Sequence, residues 1–340
     1  MRIGVDAFNL TADRRGMGRV ARTALTRLQQ SGAAEIHLIA KDGGAARALQ
    51  AEFSLPTLIP CDLQKSALDA VWFPWNGMRF APHAPAIVTV YDLFAFRYPA
   101  RGFIARRREQ QPIRRAILGA DRILTLSQWT AQDLRSTFGV ANERIRVCSP
   151  GIDSFWHPVN AEERTTPYML FVGGPDARKN AALLFAAFGD AFGESSAPAL
   201  VVAGSLSDAD ERALAASRFV HERVKPDDER LRTLYSGALA VAIPSLAEGY
   251  GLPAIEAMAC GAPAIAADAA ALPEACDGAA LLVPPADRSA WSRVLAQVAG
   301  DSELRETLRR RGFERVQRLD PDGVSNQLLE FARQSRAIDR

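Results

Sequence analysis

Two carboxylates with a glycine loop and a proline between them are the most chemically suggestive feature of this sequence. Glu248 precedes Gly249-Tyr250-Gly251-Leu252-Pro253, and Glu256 follows with seven residues between the acids. Glycines bare their backbone N–H groups, and proline suits the first position of a helix. A helix N-terminus fronted by such groups is an anion site matched to phosphate. Glu256 is expected in the first turn of that helix, its side chain leaning back toward the N-terminus. One acid from a loop and one from a helix then flank a phosphate-binding end. That arrangement suits a ligand with both hydroxyls and phosphate, such as a nucleotide sugar.

A second constellation is Phe171-Val172-Gly173-Gly174-Pro175-Asp176-Ala177-Arg178-Lys179-Asn180. A strand runs into a glycine turn, and two cations arrive where a helix starts. The Arg178 fork and the Lys179 point charge could clamp a diphosphate. The bland alternative, two solvated charges, is weakened because cations at that end oppose the helix dipole. A third is Arg14-Arg15-Gly16-Met17-Gly18-Arg19-Val20-Ala21. Its G-x-G-x-x-A spacing matches a dinucleotide fingerprint, whose first glycine directly follows a strand. Here about ten residues separate Asp6 from Gly16. A glycine loop closing over a ligand fits better, with a plain surface loop as the alternative. Tyr91-Asp92-Leu93 follows an apolar run and so sits where strand ends face a ligand crevice; Asp92 could equally cap the next segment. Ser127 reads as a helix N-cap, since no G-x-S-x-G elbow surrounds it. His37 reads as structural, His83 and His157 have no metal-ligand partner at a useful spacing, and His221 is unassigned. Cys61, Cys148, Cys260 and Cys276 are scattered without a CxxC pair, which suits reduced thiols in a cytoplasm.

Positioning these groups requires a scaffold, and the chain supplies a repetitive one. Short apolar runs (2–6, 35–40, 70–73, 86–90, 122–126, 144–148) alternate with helical patterns. A break near Ser149-Pro150-Gly151-Ile152-Asp153 precedes a second series at 168–172, 200–204, 239–243, 264–267 and 280–283. The last third, 289–336, is helical in pattern with an interruption at Asp320–Gly323. Two doubly wound α/β halves facing a cleft are expected. The expected domains are 1–157 and 158–322, with a terminal helix, 323–340, crossing back to the first. At 340 residues each half can bury its own core. A net charge of +2 argues against a nucleic-acid binder. The first residues run straight into a strand, without a signal peptide, and no apolar run reaches membrane-spanning length. Arg106, Arg107, Arg108, Arg114 and Arg115, interleaved with Phe103, Ile104, Ile113, Ile117 and Leu118, read either as a solvated helix face or as a peripheral contact with an anionic membrane.

Taken together these motifs resemble glycosyltransferase family 4, retaining enzymes of the GT-B fold. The E-x7-E pair with its loop carries the likeness, in the context Pro244-Ser245 and Ala257-Met258-Ala259-Cys260-Gly261-Ala262-Pro263. Gly173–Asn180, Gly16-Met17-Gly18-Arg19, Ala120–Ser127 and Ser149–Asp153 extend it over nearly the whole chain. The resemblance implies that Glu256 binds ribose hydroxyls, while Glu248 and the Gly249–Leu252 backbone hold the transferred sugar and its phosphate. It implies that Arg178 and Lys179 neutralise the departing diphosphate, that Gly16–Gly18 close on it, and that the base lies near Arg223-Val224. It also implies retention of configuration and no divalent metal or other cofactor. Two departures stand out. Tyr91 replaces a histidine common in relatives, and Gly174 stands where some carry an arginine.

The function expected is transfer of a hexose, with mannose from GDP-mannose as the first guess, to a polysaccharide or lipid-linked sugar. It would take place in the cytoplasm or at the inner face of the membrane. UDP-linked donors are the near alternative. An NAD-dependent oxidoreductase built on Gly16-x-Gly18-x-x-Ala21 and a non-catalytic sugar-binding protein of the same fold are the readings from other classes.

Overall fold

The computed structural model describes residues 1–13, 16–99, 102–162, 164–193 and 198–338. Arg14 and Arg15, noted beside the first glycine loop, lie outside the described residues. The chain forms two compact units, Met1–Gly151 with Asp320–Arg340, and Ile152–Leu319.

The first unit runs β1 (Arg2–Asp6), α1 (Met17–Ser31), β2 (Glu35–Ile39), α2 (Gly43–Phe53), β3 (Thr57–Leu58), β4 (Ala70–Phe73), β5 (Ala86–Val90), α3 (Phe94–Arg97), α4 (Phe103–Gly119), β6 (Arg122–Thr125), α5 (Gln128–Phe138) and β7 (Ile145–Val147). Every strand pairing is parallel, in the order β3-β2-β1-β4-β5-β6-β7. All residues of the central β4 and β5 are buried, whereas the edge strand β3 is half-buried. A parallel sheet covered on both faces demands such continuous apolar runs. Ser127 caps α5, its hydroxyl accepting from the Thr130 N–H at 3.1 Å. The hydrophobic pattern gave no reading of α2, whose glycine-rich start is held by an Asp42 cap to the Ala45 N–H.

The second unit runs β8 (Tyr168–Val172), α6 (Ala181–Phe192), β9 (Ala199–Ala203), α7 (Asp208–Ala215), β10 (His221–Val224), α8 (Asp228–Gly237), β11 (Ala240–Ile243), α9 (Leu252–Ala259), β12 (Ala264–Ala267), α10 (Leu272–Cys276), β13 (Ala280–Val283), α11 (Arg288–Gly300) and α12 (Ser302–Gln317). Its sheet is again parallel, in the order β10-β9-β8-β11-β12-β13. The terminal helical stretch breaks at Asp301, which caps α12 through the Leu304 N–H, as well as near Pro321.

The final helix, α13 (Gly323–Ile338), belongs to the first unit, where it packs on α1 and β4. It buries Leu328, Leu329, Phe331 and Ala332, and the Arg122 guanidinium lies 5.4 Å from the Phe331 ring centre. The second unit opens at Ile152 instead of 158, because the intervening aromatics pack on α8. Trp156 meets Tyr235 at 5.8 Å, and Arg232 donates to the Phe155 carbonyl at 3.0 Å. Asp320 already lies in the first unit, three residues before α13 begins.

Candidate active site

Strand order reverses between β8 and β11 in the second unit. Loops leaving the C-terminal ends of two such strands diverge and leave a crevice, where ligands of open α/β sheets bind. Those two loops carry the two main motifs. Lys179 Nζ donates to Glu248 Oε1 at 2.7 Å, joining groups 69 residues apart in sequence; both are part-buried. The Lys179 stem lies over Gly174, where a Cβ would sit 3.7 Å from Lys179 Cγ. Arg178 and Lys179 occupy a 3-10 turn ahead of α6, so they stand in front of that helix and not within it. The Arg178 guanidinium grips Asp176 through Nε and Nη2. Burial pushes the Asp176 carboxyl up, but the Arg178 hydrogen bonds outweigh it and hold the group below its ordinary range. The Leu246 N–H donates to the Arg178 carbonyl at 2.8 Å, tying the two loops through their backbones.

Asn180 had no assigned role in the motif, yet it is a junction. Its backbone is left-handed (φ 54°), and Nδ2 donates to the carbonyls of Pro244 at 3.1 Å and Pro285 at 2.9 Å. One side chain therefore ties the loops after β8, β11 and β13. The available signal was an asparagine at the end of a glycine turn, a residue type that tolerates this conformation.

Gly251 caps α9 with φ 112°, and a Cβ there would lie 2.8 Å from Leu272 Cδ2. Leu252 is the first helical residue and Pro253 the second, one place later than expected. Glu256 is consequently the fifth residue and falls in the second turn, not the first. It is 3% exposed, with Oε2 accepting from the buried Tyr235 hydroxyl at 3.3 Å. Gly249 and Tyr250 are already engaged with neighbours. At the start of α9, Pro253 has no N–H, and the Ala254 and Ile255 N–H groups donate to the Gly251 carbonyl at 3.0 and 3.4 Å, so the Leu252 N–H and the helix dipole are what this end offers an anion.

Gly173 and Val224 lie on one row of strand ends. Gly173 N–H donates to the Ala203 carbonyl and Gly204 N–H to the Val224 carbonyl; a Cβ at Gly204 would sit 2.8 Å from the Gly173 oxygen. Val224 is buried, two strands from β8. Arg223 beside it is engaged by Glu211 and by the carbonyls of Val202 and Gly204.

The reversal in the first unit falls between β1 and β4. Asp6 ends β1, Trp75 and Asn76 follow β4, and Tyr91 and Asp92 follow β5. Asp6 is fully buried; Oδ1 accepts from the Phe8 N–H at 3.0 Å, while Oδ2 has no hydrogen-bond partner among the described residues. Burial pushes its carboxyl up to about 7, against the Phe8 hydrogen bond and the Arg79 charge. The Trp75 indole donates to the Asp6 carbonyl at 2.7 Å. Tyr91 is buried, which pushes its phenol upward, and its hydroxyl donates to the Met17 carbonyl at 3.4 Å. Asp92 Oδ1 accepts from the Phe94 N–H at 3.0 Å, a two-residue turn just ahead of α3, whose N-cap is Leu93, and the residue stays half-buried at the strand end. Gly16 is the N-cap of α1 (φ 42°), and Gly18 lies in its first turn, where a Cβ would overlap the Asp13 carbonyl.

The remaining candidates separate cleanly. His37 pairs with Glu35, His157 Nδ1 approaches the Ser154 carbonyl, His221 approaches Ser217, and His83 is exposed. Among the described residues no cluster of His, Cys, Asp and Glu could hold a metal. The cysteines are free, and only Cys61 is exposed. Arg106, Arg107, Arg108, Arg114 and Arg115 are all exposed on α4, and the Arg114 guanidinium lies 5.3 and 5.6 Å from the ring centres of Phe96 and Phe138. A cavity of about 560 Å³ lies elsewhere in the second unit, lined by Phe185, Gly189, Phe219 and the Asp190–Arg288 pair, and contains none of the candidate residues.

Two parallel doubly wound units, one with cations and a glycine-initiated helix end at its strand-order reversal, define the GT-B class of α/β proteins. The family described as Glycosyl transferases group 1 matches residues 153–315, and Glycosyltransferase Family 4 matches residues 63–154. The chain is 30% identical over 236 residues to a D-inositol 3-phosphate glycosyltransferase of Jonesia denitrificans, covering 61% of this chain and 55% of that one. It is 26% identical over 277 residues to O-antigen chain mannosyltransferase B of Escherichia coli, covering 75% and 72%. The structure of Anabaena HepE in complex with UDP-glucose superposes with a TM-score of 0.72 at 15% identity, over 97% of this chain and 98% of the other. The chain spans about half the length of most of the D-inositol 3-phosphate glycosyltransferases it matches. It is a GT-B-fold relative of glycosyltransferase family 4 and of the group 1 glycosyl transferases.

Proposed function

We propose that the protein transfers a hexose from a nucleoside diphosphate sugar to a saccharide or lipid-linked saccharide, with a UDP-linked donor. The observation that carries this reading is the Lys179–Glu248 pair at 2.7 Å beside the N-terminus of α9. Cleaving an anomeric C–O bond builds negative charge on the diphosphate and positive charge on the ring. Lys179, Arg178 and the N-terminal end of α9, through the Leu252 N–H and the helix dipole, would stabilise the first, in the role a divalent cation plays elsewhere. Glu248, released from Lys179 as the phosphate arrives, would accept hydrogen bonds from the sugar. Glu256 would take the ribose hydroxyls and Val224 would flank the base. At the first unit's strand ends Asp92 would accept a hydrogen bond from a sugar hydroxyl, with the Gly16–Gly18 helix start beside it, where the Met17 carbonyl accepts from the Tyr91 hydroxyl. Attack by the acceptor hydroxyl on the face the diphosphate leaves would retain configuration.

UDP is preferred because the superposable HepE structure holds UDP-glucose. GDP-mannose is the second reading, supported by the likeness to the O-antigen chain mannosyltransferases. No helix among the described residues is long and apolar enough to cross a membrane. A peripheral seat at the cytoplasmic face rests on α4, where Phe103 is 75% and Ile104 69% exposed beside Arg106, Arg107 and Arg108. The test is acceptor-free hydrolysis of UDP- and GDP-linked hexoses by the purified chain. Turnover that falls about a hundredfold in Lys179→Ala and in Glu248→Ala is expected; firm NAD binding without nucleotide-sugar binding would replace the reading with an oxidoreductase.

A further inference from the structure

The geometry points to Asn76 as the positioning residue for Asp92, acting through its carboxamide and not through the turn it occupies. The inference rests on the proposed role of Asp92 at a sugar hydroxyl. β4 and β5 are adjacent and parallel, with Phe73 opposite Val88, so the segments leaving them run side by side. The Asn76 N–H donates to the Thr89 carbonyl at 3.2 Å, which fixes the register of the two segments. Its side chain then works in both directions. Oδ1 accepts from the Tyr91 N–H at 2.6 Å. Nδ2 donates to the Asp92 carbonyl at 3.3 Å and reaches Asp92 Oδ1 at 3.5 Å. From the opposite side, Thr130 Oγ1 donates to the Tyr91 carbonyl at 2.9 Å. The Tyr91–Asp92 backbone is thus held at one N–H and two carbonyls, and the Asp92 carboxylate is held by Asn76 and by the Phe94 N–H.

The residue type follows from these bonds. Asn76 is left-handed, at φ 61°, a conformation that glycine adopts without cost and asparagine tolerates. Were the turn the sole requirement, glycine would serve. Accepting from one amide while donating to the next residue needs both ends of a short carboxamide. Aspartate lacks the donor and would set a second carboxylate beside Asp92. A strained position over-determined by its surroundings at a strand-order reversal is the pattern of a site held ready for a ligand.

Asn76→Gly, Asn76→Asp and Asp92→Asn, made in the full chain, test this on whichever of UDP-glucose and GDP-mannose the wild type hydrolyses. Asn76→Gly keeps the turn and removes the carboxamide. It is expected to lower kcat about tenfold to a hundredfold, as a misplacement near 1 Å would. KM for the donor and the affinity for free UDP or GDP should stay within about twofold, since those depend on the second unit. Asn76→Asp should lose as much and also move the acid limb of the pH–rate profile upward, because like charges oppose ionisation. Wild-type kcat in Asn76→Gly would show that the turn alone matters and overturn the inference. So would wild-type kcat in Asp92→Asn, or a loss in Asn76→Gly matched by lost nucleotide affinity and a collapsed melting temperature. A wild type that neither binds nor turns over any nucleotide sugar would instead remove the transferase reading, and this inference with it.

Discussion

The two units share one topology but place opposite chemistries at their strand-order reversals. The second unit gathers Asp176, Arg178, Lys179 and Glu248, all part-exposed and paired as ions. The first gathers Asp6, Trp75, Asn76, Tyr91 and Asp92, joined mainly by neutral hydrogen bonds. Asp6 is buried, which pushes its carboxyl up to about 7, far above an exposed acid. Charge kept near water can receive a phosphate without the full cost of desolvation. A drier end built from amides and aromatic rings suits hydroxyls. Topology decides where a site forms; the side chains at the strand ends decide what it takes.

The sharpest way to break this contrast is through Asp6. Its carboxyl is raised from 3.8 to about 7 on folding, so the native state binds more protons between those values. Stability from this group is full below pH 4, falls as pH rises toward 7, and then stays low, a change of up to about 4 kcal/mol. Unfolding by urea from pH 4 to 8 should show that decline in the wild type and a flatter curve in Asp6→Asn. Identical curves would mean that Asp6 is ionised in the folded chain and that the first unit's end is not the neutral one. Next in size is Lys179→Ala, expected to raise the barrier to nucleotide-sugar cleavage by about 3 kcal/mol. Steady-state kinetics measure it, and a loss confined to KM would reduce Lys179 to a binding group. Gly251→Ala probes the helix end itself: a strained backbone plus contact with Leu272 should cost about 2 kcal/mol of stability and weaken nucleotide binding. Calorimetry reporting unchanged affinity would place the phosphate elsewhere. The smallest effect is expected from Thr130→Val, which removes the buried hydrogen bond to the Tyr91 carbonyl and the one Oγ1 accepts from the Ser127 hydroxyl, about 1.5 kcal/mol in the melting curve, with nucleotide affinity intact.

Much of the fold was legible because its signals are local. β1, β4, β5, β8, β12 and β13 occur where the apolar runs stand, and Ser127 caps the helix its position announced. Two edge strands were harder to read: β3 is only two residues long and β10 reads His-Glu-Arg-Val, whereas β13, equally exposed at the other edge, is apolar throughout as Ala-Leu-Leu-Val. In the candidate site the motif after β11 stood out because glycine, proline and acid lie close in sequence. The one-place error at Pro253 arose because a left-handed glycine, and not the proline, ends the loop.

What the sequence determined by itself is therefore the list of elements and of groups able to do chemistry, since helix and strand periods and caps depend on near neighbours. Only the tertiary structure decided which of those groups meet. Lys179 finds Glu248 across 69 residues, Asn180 ties three loops, Asn76 holds Asp92, and Asp6 is sealed from water. Those pairings follow from the order in which parallel strands lie side by side. That order is settled by burial across the whole sheet, which no short stretch of sequence encodes.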